Sequence, residues 1–178
     1  MRITVSGSIG SGKSTVARLI ASRLDYMYLS GGEVFRKIAS EMGMDIEHFN
    51  LYAERHPEID REQDDKLLSL IRKNDGIVVD SRLAGWLAHN SGVDALKIYI
   101  KADRTERVRR VASREKEATS ETNLKILQRE ESESRRYKEF YGIDIHNLEI
   151  YDLVIDSTSL SAVSVAKVIM AAVDEMMA

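Results

Sequence analysis

Residues 7–15 read GSIGSGKST, directly after the apolar run MRITVS, and they narrow sharply what the start of this chain can fold into. Gly7, Ser8, Ile9, Gly10, Ser11, Gly12, Lys13 and Ser14 fit the pattern G-x-x-x-x-G-K-[ST]. Glycines let successive backbone N–H groups turn inward around an anion with no Cβ in the way. A helix that begins just after such a turn points its positive end at the same place. STVARLIASRL supplies that helix, because Val16, Leu19, Ile20 and Leu24 recur at helical spacing. Residues 3–6 supply a short apolar strand before it. Strand, loop and helix together predict a nucleotide-phosphate site from Gly7 to Thr15, with Lys13 on the β- and γ-phosphates and the Ser14 hydroxyl on Mg²⁺.

The rest of the chain alternates between strand and helix patterns. Strands are expected at 26–30 (YMYLS), 76–82 (GIVVDSR), 95–101 (ALKIYIK) and 151–158 (YDLVIDST). Helices are expected at 32–43, through the polar stretch 45–73 with a break near Pro57, as a pair within 103–140 that parts around 117–121, and at 161–177. That alternation predicts an α/β three-layer sandwich, with a parallel sheet covered by helices on both faces. Its 178 residues are one domain's worth of chain. The absence of cysteine excludes disulfides, thiolate zinc sites and cysteine nucleophiles. A formal net charge of −3 argues against a nucleic-acid binder. No apolar stretch is long enough to span a bilayer, and the loop interrupts the N-terminus before any leader shape forms. The expectation is a cytoplasmic protein, a monomer or weak homo-oligomer, with small-molecule nucleotides as partners.

A phosphate loop does not name a reaction, but the strand ends suggest one. Asp80 closes the run GIVVD and is placed to share the metal with Ser14. Arg36, in the helix after the second strand, and Arg82, just beyond Asp80, fall at the carboxyl edge of a parallel sheet beside the loop. Two guanidinium groups there would fork onto an acceptor phosphate. The stretch 103–140 carries eight arginines against nine acidic residues between 103 and 139. Arg107, Arg110 and Arg114 share one helix face, as do Arg129, Glu133 and Arg136. Some of these arginines are expected to meet phosphates, and the rest to form solvated ion pairs. No NKxD-type guanine-reading motif is present, which argues against a GTPase. Ser30, Asp60, Arg61 and Asp64 are candidates to read an acceptor base, and their sequence does not choose among them.

LSGGEVFRKIA, FNLYAERHPEID, VVDSRLAGWLA and REESESRRYKEFYGIDIHNLEIYDLVIDST, together with the N-terminal stretch, resemble the archaeal-type cytidylate kinases, a branch of the P-loop nucleoside monophosphate kinases. HPEID, RLAGW and RRYKEFYGID in combination are far more specific than the loop alone. The resemblance implies a five-stranded parallel core sheet, an acceptor-nucleotide insertion over 30–65, and a lid with flanking helices over about 107–136. It implies transfer of phosphate from ATP to CMP, and to dCMP, with Mg²⁺. Ser30, Arg36, Asp60 and Arg82 would then face the acceptor. Lys13, Arg114, Arg129 and Arg136 would stabilise the transferring group. Prolines are common early in that family's loop, where this chain has Ser8 and Ile9; the backbone does the binding there, so little changes. Alternatives are another small P-loop kinase (acting on AMP, UMP, shikimate or a sugar acid) and a non-catalytic nucleotide-binding regulator.

Overall fold

The computed structural model describes residues 1–177. Five strands, β1 (Arg2–Gly7), β2 (Met27–Ser30), β3 (Ile77–Asp80), β4 (Leu96–Lys101) and β5 (Leu153–Asp156), form one parallel sheet in the order β2-β3-β1-β4-β5. The register sets Ile3 opposite Val78 on one side and Leu96 on the other. Eight helices connect them: α1 (Lys13–Leu24), α2 (Gly31–Glu41), α3 (Ile46–Ala53), α4 (Pro57–Lys73), α5 (Ala84–Asn90), α6 (Arg104–Glu115), α7 (Thr119–Tyr141) and α8 (Ala162–Met177). The expected three-layer parallel architecture is therefore present. The helix break near Pro57 and the parting of the 103–140 pair fall where the sequence places them. The last strand is four residues long, shorter than the apolar run 151–158 suggests. Tyr151, before it, is buried, and Ser157, just past its end, still donates its N–H to Lys101 O at 2.8 Å while its Oγ donates to Ser11 O.

Strand alternation assigns the faces. Ile3 and Val5 of β1 meet Val16 and Ile20 of α1 and Val165, Ile169 and Val173 of α8. Ile77 and Val79 of β3 meet Leu67 and Ile71 of α4 and Ala84 of α5 on the opposite face. A third apolar group joins Ile9 of the loop to Val108 and Val111 of α6 and Ile126 of α7, so the arginine-rich helix pair is packed onto the loop itself. No helix among the described residues is long and apolar enough to cross a membrane.

Helix α5 comes close to β1 because Gly85 has no side chain. Its N–H donates to Ser6 Oγ at 3.2 Å, and a Cβ there would stand 2.4 Å from Cε1 of the buried Tyr151 ring. Gly85→Ala is expected to destabilise the protein by ~1–3 kcal/mol through overpacking, read as a lower urea midpoint.

Candidate active site

The loop sits at the carboxyl end of β1, where the strand order reverses between β3 and β4, the usual crevice of an open α/β sheet. Its carbonyls are held from behind. Arg82 Nη1 donates to Gly7 O at 2.7 Å and Arg107 Nη1 to Ile9 O at 2.9 Å. Arg110 Nη1 and Ser157 Oγ both donate to Ser11 O, at 3.2 and 2.8 Å. Ile9 N–H donates to Glu130, which also holds Arg107 at 2.6 Å. With the carbonyls bound outward, the first-turn N–H groups of α1, which no side chain caps, face the loop's concave side. Gly10 takes φ +80° beneath Arg107, where a Cβ would lie 2.7 Å from the Arg107 carbonyl. Arg107 and Arg110, which the sequence places on one face with Arg114, are thus supports of the loop. Sequence spacing shows the face, while the partner comes only from the fold.

A cleft opens from Lys13 and Ser14 towards α2, α4 and α7. Lys13, Arg36, Arg82, Arg129 and Arg136 line it, against three carboxylates: Asp60, Asp80 and Glu133. Burial lowers the Lys13 pKa, and Asp80 opposes that shift. Asp80 is 2% exposed; its Oδ2 accepts from Tyr28 O–H at 3.1 Å, while its Oδ1 is buried with no hydrogen bond. Burial and the Asp80 charge push the Tyr28 hydroxyl up to about 12, so it stays a donor. Arg36 and Arg129 have no carboxylate within ion-pair distance among the described residues. Burial and the neighbouring Arg129 charge lower the Arg36 pKa, and Arg129 Nε is buried without a partner. Two adjacent guanidinium groups with no anion between them are a place for one.

The other predicted residues divide by environment. Ser30 lines the cleft and also caps α2, its Oγ accepting from Glu33 N–H at 3.2 Å. Arg82 lines the cleft with two nitrogens already committed, Nη1 to Gly7 O and Nε to Glu133 at 2.5 Å. Arg136 is 2% exposed, pairs with Asp60 at 2.9 Å and donates to the Asn50 carbonyl at 3.0 Å. Arg114 stands on the mouth of the groove that Lys13, Arg36 and Arg129 share, largely exposed and paired with Glu115. Thr15 falls on the other side of the loop, in a pocket of about 390 Å³ between Gly10–Gly12, Arg109, Arg110 and 157–162. Tyr28, Gln63 and Glu133 join the cleft region without having been singled out as site residues from sequence. Glu133 is recognisable only as the acidic member of the Arg129–Arg136 face.

Two acidic groups on α4 carry a pH dependence. Burial raises the Asp64 carboxyl to about 7, against the Tyr141 hydroxyl that donates to it at 2.9 Å, and raises Asp60 to about 6. These two carboxyls therefore hold protons in the fold that they release in the unfolded chain, where aspartates titrate near ~4. Their contribution to stability falls as pH rises from about 4 to about 7. Asp64→Asn keeps an acceptor for Tyr141 and removes the titration. Its urea midpoint should rise relative to that of the wild type as pH increases across that window.

The cytidylate kinase-like family pattern matches residues 2–159. The chain is 43% identical over 174 residues to a cytidylate kinase of Archaeoglobus fulgidus, covering 98% of this chain and 95% of that one. It is also 43% identical to a cytidylate kinase of Methanosarcina mazei, covering 98% and 97%. Among solved structures, a gluconokinase of Sinorhizobium meliloti superposes with a TM-score of 0.64 at 13% identity, covering 98% of this chain and 92% of that one. A shikimate kinase of Acinetobacter baumannii, in complex with shikimate, gives 0.61 at 18%, covering 98% and 93%. At such identity the two structures speak for the fold alone. The sequence relatives and the near full-length pattern go further: the chain belongs to the cytidylate kinase-like family.

Proposed function

We propose that this protein transfers the γ-phosphoryl group of ATP to CMP, and to dCMP, giving ADP and CDP or dCDP. The observation that carries the reading is the Arg36–Arg129 pair, which has no ion-pair partner among the described residues and lines the cleft that Lys13 also lines: room for a second anion beside the phosphate loop. The names of the close relatives supply the nucleotide. In this reading the pocket beside Thr15 and Arg110 takes the base of ATP, and the loop takes its phosphates. Segment 30–65 encloses the acceptor. The turn 116–118 acts as the lid, with helices α6 and α7 flanking it.

The acceptor phosphate oxygen is already a nucleophile, so no strong general base is needed. Lys13, half-buried in the cleft, faces the γ-phosphate and stabilises charge spreading onto it. Arg36 and Arg129 fix the acceptor phosphate in line, and Arg114 closes on the transferring group from the mouth. Ser14 and the unpartnered Oδ1 of Asp80 fit Mg²⁺, which keeps most of its shell as water and phosphate oxygen. The described residues hold no cluster of three or more metal-ligating side chains, and an ion bound mainly by nucleotide needs none. When bound, the ion supplies charge neutralisation on the phosphates. Water exclusion on closure suppresses loss of phosphate to solvent.

The test is ADP formation from ATP–Mg²⁺ with CMP, dCMP, UMP, AMP and shikimate offered separately. CMP and dCMP should give the highest kcat/KM. Preference for AMP or shikimate would replace the acceptor assignment.

A further inference from the structure

Asp80 is a buried carboxylate with a single hydrogen bond. Oδ2 accepts from the Tyr28 hydroxyl at 3.1 Å, and Oδ1, equally buried, accepts from nothing. Among the described residues no cation stands within ion-pair distance of it. A buried carboxylate held this sparsely destabilises the empty fold, and its free oxygen marks a place for a cation. The cleft supplies the setting, because Asp80 lines it together with Lys13 and Ser14.

The strands explain why the one donor is a tyrosine. Ser30 of β2 lies opposite Asp80 of β3, and Tyr28 lies opposite Val78. Alternation puts these four side chains on one face of the sheet. That is the face over which α1 runs, since Val78 and Tyr28 both join the apolar cluster of Val16 and Ile20. From Tyr28 to the level of Asp80 is two residues, or ~6.6 Å along the strand. A tyrosine side chain spans that, and a serine or threonine does not. The ring is itself held. Arg18, one turn beyond Ser14 on α1, stacks over it at 5.1 Å from the centroid, and Glu33 of α2 pairs with Arg18. The hydroxyl therefore meets Asp80 from a ring with little freedom to turn away.

We propose that Tyr28 is a positioning residue for the metal-bound donor nucleotide: by holding Oδ2 it fixes the Asp80 carboxylate and keeps Oδ1 for the shell of Mg²⁺. The assignment rests on the reading above, in which Asp80 and Ser14 attend the ion. Tyr28 acts through Asp80 alone. Loss of a partner that orients a metal-directed side chain typically costs ~10–100-fold in metal affinity, and an ion held chiefly by phosphate oxygens belongs at the lower end.

A readout without turnover is the Mn²⁺ affinity of the protein–ADP complex, taken from the electron paramagnetic resonance signal of free Mn²⁺, which like Mg²⁺ prefers octahedral oxygen ligands. The wild-type complex should hold Mn²⁺ more tightly than ADP alone does. Tyr28→Phe, which keeps the ring and removes only the hydroxyl, should lose ~10-fold of that affinity. Asp80→Asn should lose at least as much, and adding Tyr28→Phe to it should cost little more, because the hydroxyl has lost the carboxylate it positions. In turnover, Tyr28→Phe should raise the free Mg²⁺ needed for half-maximal CDP formation by ~10-fold, while kcat at saturating Mg²⁺ stays near that of the wild type. Should Tyr28→Phe not fold, Tyr28→Met removes the same hydroxyl with an unbranched, adaptable side chain. Wild-type Mn²⁺ affinity in the variant, whatever its urea midpoint, would mean a purely structural role and overturn the proposal. So would a further ~10-fold loss in the double variant. A wild-type complex that holds Mn²⁺ no better than ADP alone would also overturn it, by removing Asp80 from the shell, and would leave the kinase reading standing. Absence of CDP with the wild type would remove the acceptor reading instead, and the Mn²⁺ titration, which contains no acceptor, would still decide on Tyr28.

Discussion

Lys13→Ala should lose on the order of 10³-fold in turnover while unfolding at nearly the wild-type urea concentration. The two halves of that expectation have different causes. Lys13 is the cation that the loop directs at the transferring phosphoryl group, and the charge it offsets develops most fully in the transition state. In the empty fold it is a half-buried ammonium, and desolvation lowers its pKa despite Asp80 nearby. Removing a charge that the fold strains to keep does not weaken the fold much. The fall should therefore appear in kcat with CMP more than in the unfolding midpoint. Near-normal turnover by this variant would take Lys13 out of the reaction.

Arg136→Ala should do the reverse first, costing about 3–5 kcal/mol of stability. Arg136 stands on α7, reaches Asp60 on α4 at 2.9 Å, and donates to the carbonyl and side chain of Asn50 on α3 at 3.0 and 3.2 Å. It is 2% exposed, so these contacts are made out of bulk solvent and are lost with the side chain. Its loss leaves Asp60 buried beside Glu133 without a counterion and empties a large core position. Without Arg136, which lowers its pKa, Asp60 takes up a proton above the wild-type value of about 6, so the deficit should shrink as pH falls towards about 6. Arg136→Lys should recover little, because one ammonium cannot span both Asp60 and Asn50. The urea midpoint of the three proteins between pH 5 and 8 checks both statements. An unchanged midpoint for Arg136→Ala would show that the three helices are held together by something else.

These two residues illustrate what the sequence can and cannot convey. Lys13 is legible because its role is local: a strand, a glycine turn and a helix start within a few residues leave one place for its ammonium. Arg136 is legible as a member of a helix face with Arg129 and Glu133, but spacing along one helix does not say what lies opposite. The fold gives Arg129 an open cleft and Arg136 the interface of α3 and α4. Arg82 is similar. Its position after Asp80 places it at the sheet edge, as expected, and the third dimension adds Gly7 O and Glu133 as partners. Asp60 and Gln63 share a face of α4, yet what sets them apart from Arg61 and Glu62 is that the cleft reaches them, a fact of packing between distant segments. The sheet order follows the same division. Alternating apolar runs announce a parallel sheet, and the order β2-β3-β1-β4-β5 appears only when the strands pair.

The most direct test of the central claim, that the cleft opposite the loop holds a phosphate acceptor, is the product balance of a single reaction. Protein is mixed with ATP–Mg²⁺ with and without CMP, and ADP and CDP are quantified together over the initial phase. ADP and CDP should rise in equal amounts when CMP is present, with ADP close to background without it. ADP released at the same rate in both mixtures, with no CDP, would contradict the claim.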